Sequence, residues 1–152
     1  MLIELHPAMV QFAVALLLAS VVLDALGVAL SRDSYIVAGL YNLAGGVAFA
    51  LIGVVTGYLA KSSLPVELPA GMSLLALHEV ITFAAVLFFA ALFGWRLALK
   101  GRVPLRGRTL YMAVSFTSAL VLITGAIVGG AMVYRHGLGI AKSLLKPELL
   151  AP

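Results

Sequence analysis

Residues 74–99 read LLALHEVITFAAVLFFAALFGWRLAL, an apolar run whose ionisable residues all lie near its ends. A helix needs about 20 apolar residues to cross roughly 30 Å of hydrocarbon, and this run is long enough. Three similar runs occur at residues 7–30, 34–60 and 109–134. The sequence therefore predicts four transmembrane helices, with Pro7 at the first helical position of the first one.

The composition supports a membrane protein. Of the 152 residues, 63% are hydrophobic and 11% are charged, whereas soluble domains carry roughly 25% charged residues. The absence of cysteine excludes disulfides, thiolate metal sites, iron–sulfur clusters and covalently attached c-type haem. Any cofactor must then be held by histidine, methionine, carboxylate or backbone groups. The net charge of +4 does not indicate nucleic-acid binding, because the cations lie in short loops rather than on one basic face.

The connecting segments, at residues 31–33, 61–73 and 100–108, are short, so neighbouring helices must be antiparallel. We expect an all-α, up-down-up-down four-helix bundle over residues 1–136 and a surface tail over residues 137–152. Six cations lie on the side of the third loop, namely Arg32, Arg96, Lys100, Arg102, Arg106 and Arg108, against four on the other side. The positive-inside rule then predicts a cytoplasmic third loop and both termini on the outer side of a bacterial inner membrane.

All three histidines of the chain, His6, His78 and His136, fall at the terminal side of this bundle. An ionisable group at the edge of the hydrocarbon needs partners and is a functional hypothesis by default. We expect His78 to act as a ligand together with either His6 or His136. The stretch HGLG that begins at His136 also predicts a helix C-cap.

Glycines follow one face of the second and fourth runs, and those nearest the histidines are Gly53, Gly57, Gly125 and Gly129. Glycines spaced by four residues let helices approach closely. They also leave room for a flat ring, and a porphyrin held between two histidines of different helices is a b-type haem site. Arg135, Tyr134 and Lys61 would then lie where the propionates emerge.

Copper is a second candidate ligand. A methionine lies near each histidine in the sequence, at Met9, Met72 and Met132. Thioethers combined with imidazole suit Cu(I).

Asp24 lies 18 residues, or five helical turns, after His6 on the same stripe of the first helix. A carboxylate there must be paired or protonated. We expect a structural clamp with Asn42 or with an arginine, and the alternative is a proton relay.

Three segments, LHPAMVQFAVALLLASVVLDALG, LLALHEVITF and GGAMVYRHGLGI, carry a resemblance over nearly the whole chain. The chain resembles the bacterial four-helix membrane domain known as domain of unknown function twenty-two thirty-one. The matching positions are His6, Pro7, Asp24, Gly129, Gly130, Val133, Tyr134, Gly137 and Gly139. Members of that family commonly carry a second histidine five residues after the first, where this chain has Gln11. Some are joined to Rieske iron–sulfur domains, and the resemblance therefore implies electron transfer.

Three functions are consistent with these features. The first is a haem b protein that passes electrons between a partner protein and the quinone pool. The second is a cofactor-free structural or assembly subunit whose glycine faces serve packing and homo-oligomerisation, and the third is a copper-binding membrane protein. The motifs of phosphate-binding loops, dinucleotide-binding turns, zinc proteases and serine hydrolases do not occur, so an electron carrier is expected rather than a hydrolase.

Overall fold

The computed structural model of the chain describes residues 2–62 and 69–137. These residues form four helices: α1 at Leu2–Leu30, α2 at Asp33–Ser62, α3 at Pro69–Ala98 and α4 at Arg108–His136. All four are long and apolar enough to cross a membrane. The prediction of an all-α four-helix membrane bundle is confirmed, while most of the predicted surface tail, residues 138–152, lies outside the described residues.

The sequence predicted the end of α4 correctly but not the start of α1. Pro7 is not the first helical residue, because α1 already begins at Leu2 and Pro7 lies inside it. Its missing N–H removes one helical hydrogen bond, to the carbonyl of Ile3, which belongs to the first turn. At the other end, Gly137 adopts φ 62° and its N–H bonds the carbonyls of Met132 and Val133. The C-cap predicted there is confirmed.

The helices associate as two helical hairpins, α1–α2 and α3–α4, and each hairpin is packed more closely within itself than against the other. The first hairpin is the tighter one. A Cβ added at Gly27, Gly39 or Gly46 would collide with side chains packed across the hairpin, those of Ile36, Asp24 and Leu17. Glycines therefore bring α1 and α2 together, as small residues do in membrane helix pairs.

A buried polar cluster joins all four helices at the end of the bundle away from the histidines. Arg96 of α3 is fully buried and Asp24 of α1 is 2% exposed. The Arg96 Nη1 donates to both carboxylate oxygens of Asp24, at 2.7 and 2.6 Å. The hydroxyl of Tyr111 in α4 donates to the same carboxylate at 2.6 Å. We refer to these three residues as the Asp24–Arg96–Tyr111 cluster.

The remaining donors of Arg96 reach the backbone. Its Nη2 donates to the carbonyl of Ile36 in α2 at 2.8 Å, and Nη2 and Nε donate to the carbonyl of Gly101 in the third loop at 2.8 and 3.0 Å. Buried charges are tolerated only when their hydrogen-bonding capacity is satisfied. The cluster meets that condition, and it fixes the third loop as well as the helices.

Of the two partners expected for Asp24, the structure therefore provides an arginine and not Asn42. The Asn42 side chain donates instead to the carbonyl of Ala38, one turn earlier on its own helix, at 2.9 Å. Arg96 reaches Asp24 because positions 24 and 96 face each other across the bundle, whereas Asn42 lies one turn beyond Gly39, the residue of α2 against which Asp24 packs. Gln11 is exposed on α1.

We expect the substitution Arg96→Met to lower the free energy of unfolding by about 3–5 kcal/mol, because it leaves the Asp24 carboxylate buried without its counterion. Unfolding in mixed detergent micelles measures this change. Arg102→Met is the matched control, since Arg102 is exposed and surface substitutions usually change stability by less than about 0.5 kcal/mol. Equal losses in the two variants would contradict the clamp.

Candidate functional site

The first component of the site is His6, which lies near the start of α1 and is half-buried against α2. Its Nδ1 lies 3.0 Å from the carbonyl oxygen of Gly53 and 3.2 Å from Oγ1 of Thr56. A carbonyl only accepts, so Nδ1 carries the hydrogen. The Thr56 hydroxyl donates its own hydrogen to the carbonyl of Ile52 at 2.9 Å, so it also accepts from His6.

The second component is His78, which lies near the start of α3 and is half-buried against α4. Its Nδ1 lies 3.0 Å from the carbonyl oxygen of Gly125. The same reasoning makes Nδ1 the donor. In both pairs 47 residues separate the histidine from the glycine whose carbonyl it bonds.

This hydrogen-bonding pattern has a chemical consequence. When Nδ1 donates to a backbone carbonyl, the neutral imidazole keeps its lone pair on Nε2. Histidines that bind metals are held in this way, because the second-shell bond fixes the tautomer and the orientation of the ring. His6 and His78 are thus two oriented imidazoles with Nε2 as the available ligand atom.

The positions beside these rings require glycine, because a larger residue there would crowd the neighbouring atoms. A Cβ added at Gly57 would lie 2.9 Å from Cε1 of His6, and one added at Gly129 would lie 3.0 Å from Cε1 of His78. At Gly53 and Gly125 an added Cβ would crowd Val10 and Thr82, at 3.1 and 2.9 Å. Neighbouring side chains occupy the space next to all four glycines, so it is not an open slot for a porphyrin. These glycines seat the imidazoles and bring the helices together, which is the packing alternative.

His6 and His78 lie near the starts of α1 and α3, at the same end of the bundle, which we call the histidine rim. Lys61 at the end of α2 pairs with Glu79 of α3 there, with 2.8 Å between Nζ and Oε1. This pair joins the two hairpins, and it engages the Lys61 ammonium that was expected near propionates.

The other predicted residues lie at the end of α4. Tyr134 is 89% exposed and Arg135 is exposed. The side chain of His136 lies outside the described part of the chain. In that described part, no group of three or more His, Asp or Glu side chains is arranged to hold a metal ion.

Two contributors were not singled out from the sequence. Thr56 supplies a second acceptor for His6, and Tyr111 completes the Asp24–Arg96–Tyr111 cluster. The sequence position of each residue gave some indication of its role. Thr56 lies one turn after Gly53 on the glycine face, and Tyr111 is a phenol in the first turn of a hydrophobic helix. Neither signal identified the partner, which comes from another helix in both cases.

The family model described as "Predicted membrane protein (DUF2231)" matches residues 2–142, and the resemblance carried by the three quoted segments is confirmed. No match was found among curated proteins or among solved structures.

Adjacent glycines on α4 provide a test of how His78 is seated. Gly129→Ala places a methyl group against the imidazole, and we expect a net loss of about 1–3 kcal/mol of stability, the usual cost of overpacking. Gly130→Ala is the matched control, because a Cβ there meets no atom within 4 Å and alanine in a helix gains up to about 1 kcal/mol. Thermal unfolding of both variants measures the difference in stability. If the Gly129→Ala protein is as stable as the Gly130→Ala protein, His78 is not packed against Gly129.

Proposed function

Because the chain belongs to the family described as predicted membrane protein DUF2231, a description that carries no activity, we propose a function from the site itself. The protein would bind one b-type haem at the histidine rim, where Nε2 of His6 and Nε2 of His78 would hold the iron and the haem would supply one-electron redox chemistry. It transfers electrons between a partner protein and the quinone pool or another redox protein.

One observation carries the proposal: two imidazoles from different helices donate Nδ1–H to helix carbonyls at 3.0 Å, at the same end of the bundle. A haem iron can take two ligands from the protein, and two imidazoles are enough for that. A structural zinc ion takes four protein ligands. Among the described residues no third carboxylate or imidazole completes a metal-binding group with these two, so their number suits haem better than zinc.

The position of the pair also suits electron transfer. Both rings are half-buried near the ends of their helices, where an aqueous redox partner would come close to them. Arg135 and Tyr134 at the end of α4 are exposed and are available for charge-assisted hydrogen bonds to propionates. A porphyrin between the rings requires the two hairpins to separate at this end, and the contacts between hairpins are fewer than those within them.

The absorption spectrum of the protein purified from membranes supplied with hemin tests the proposal. We expect a Soret band and, after reduction, sharp α and β bands. His6→Ala and His78→Ala should each abolish these bands, since either change removes one axial ligand. Gln11→Ala, at an exposed position of α1, is the control and should retain them.

Two outcomes would refute haem, and a third would refute the proposed ligands. A colourless protein that contains copper by elemental analysis would indicate the copper-binding alternative. A colourless, metal-free protein that assembles normally and binds no added hemin would indicate a structural subunit. Retention of the bands in both histidine variants would exclude these two ligands.

We further propose that the third loop is cytoplasmic and that the histidine rim faces outward in a bacterial inner membrane, because six cations lie on the side of that loop. The chain lacks cysteine, so single cysteines report orientation cleanly. A membrane-impermeant maleimide applied to intact spheroplasts should label Lys61→Cys and not Leu105→Cys, although Leu105 is 89% exposed. The reverse labelling pattern would invert the topology.

A further inference from the structure

The two helical hairpins repeat one pattern. Each residue in the second hairpin has the number of its counterpart plus 72, as 78 is 6 plus 72 and 125 is 53 plus 72. His6 bonds the carbonyl of Gly53 as His78 bonds that of Gly125, both at 3.0 Å. Gly57 and Gly129, which are also counterparts, lie against the two imidazoles in the same way.

The same offset relates the buried positions of the two hairpins. The following counterparts are buried in both: Ala13 and Ala85, Leu17 and Phe89, Ser20 and Leu92, Asp24 and Arg96, Leu43 and Ser115, Val47 and Ala119, and Ala50 and Leu122. The sequence keeps traces of the repeat, because Leu2, Leu5 and His6 correspond to Leu74, Leu77 and His78.

Counterparts on α1 and α3 face each other across the bundle. Asp24 and Arg96 are in direct contact, and each lies five turns after its own histidine on one stripe of its helix. The buried counterparts of α1 and α3 lie on these two stripes between the ion pair and the histidines. In addition, α2 packs on α3 about as extensively as α1 packs on α4, as a two-fold axis between the hairpins requires.

We infer that the chain consists of two copies of one helical hairpin related by a two-fold axis along the membrane normal, and that His6 and His78 form a single ligand site on this axis. Parallel repeats of this kind occur in other membrane proteins. The site takes one ligand that binds Nε2 of both imidazoles. That this ligand is a haem rests on the proposed function.

The copies differ at the end opposite the histidine rim. Counterparts there carry opposite charges, at Asp24 and Arg96, and two identical hairpins would bring like charges together. Gly39 and Gly46 of the first hairpin correspond to Tyr111 and Ser118 of the second. These larger residues explain why α4 packs less closely on α3 than α2 does on α1. These differences favour pairing between the two different hairpins over pairing between two identical ones.

The axis is tested by distances between nitroxide labels on the full-length chain, without haem. Two-fold symmetry requires that residues 15 and 120 be as far apart as their counterparts 87 and 48. All four positions are exposed, so Ala15→Cys with Leu120→Cys, and Leu87→Cys with Ala48→Cys, leave the core intact. We expect the same mean distance from the two pairs, and clearly different distances would overturn the axis.

The site on the axis is tested by cross-linking, also without haem. The protein is first treated with a short bismaleimide. Cleavage at a protease site inserted between residues 62 and 69 then separates the two hairpins unless they are cross-linked. His6→Cys with His78→Cys should keep the two fragments joined. Val22→Cys with Gly94→Cys, counterparts that are both exposed on α1 and α3, should not. The shared site would be overturned if the fragments separate although the His6→Cys/His78→Cys protein is monodisperse. If the fragments stay joined but the native protein binds no hemin, only the proposed function is refuted.

Discussion

The buried ion pair between Asp24 and Arg96 is the interaction on which the structure depends. A carboxylate and a guanidinium inside a membrane bundle each carry a desolvation cost of several kcal/mol. The structure offsets it by satisfying both groups, with the Tyr111 hydroxyl and two backbone carbonyls as further partners. Because these partners come from all four helices and the third loop, the pair fixes the register of the hairpins relative to each other.

That register also determines what happens at the histidine rim, five helical turns away. His6 and His78 lie on the same stripes as Asp24 and Arg96, so alignment at one end sets the alignment of the imidazoles at the other. Each ring is then oriented locally, by a carbonyl at 3.0 Å and by a glycine that leaves room for it. Both ends of the bundle use counterparts from the two hairpins, as an ion pair at one end and as a matched pair of imidazoles at the other.

The features predicted best from the sequence are those that depend on a single helix. Span length, helix type and the Gly137 cap depend on local composition and backbone conformation, and they were predicted correctly. The sequence left open whether Asn42 or an arginine pairs with Asp24, and it left open what the glycines accommodate. Both questions depend on which side chain of another helix arrives at a given position. The sequence contains the 72-residue repeat, but few counterparts are identical residues because membrane helices need only apolar side chains at most positions.

Four apolar runs of membrane-spanning length were enough to predict that the chain crosses a membrane four times, and the short loops between them place the histidines near one end. The hydrophobic effect and the need to satisfy backbone hydrogen bonds in lipid leave no other arrangement for four such runs. Contacts between helices, in contrast, were visible only in the folded bundle, in which Arg96 binds Asp24, glycines seat imidazoles, and positions 6 and 78 are equivalent. These facts arise from contacts between helices, where polar partners separated by 47 to 87 residues meet at distances of 2.6 to 3.0 Å.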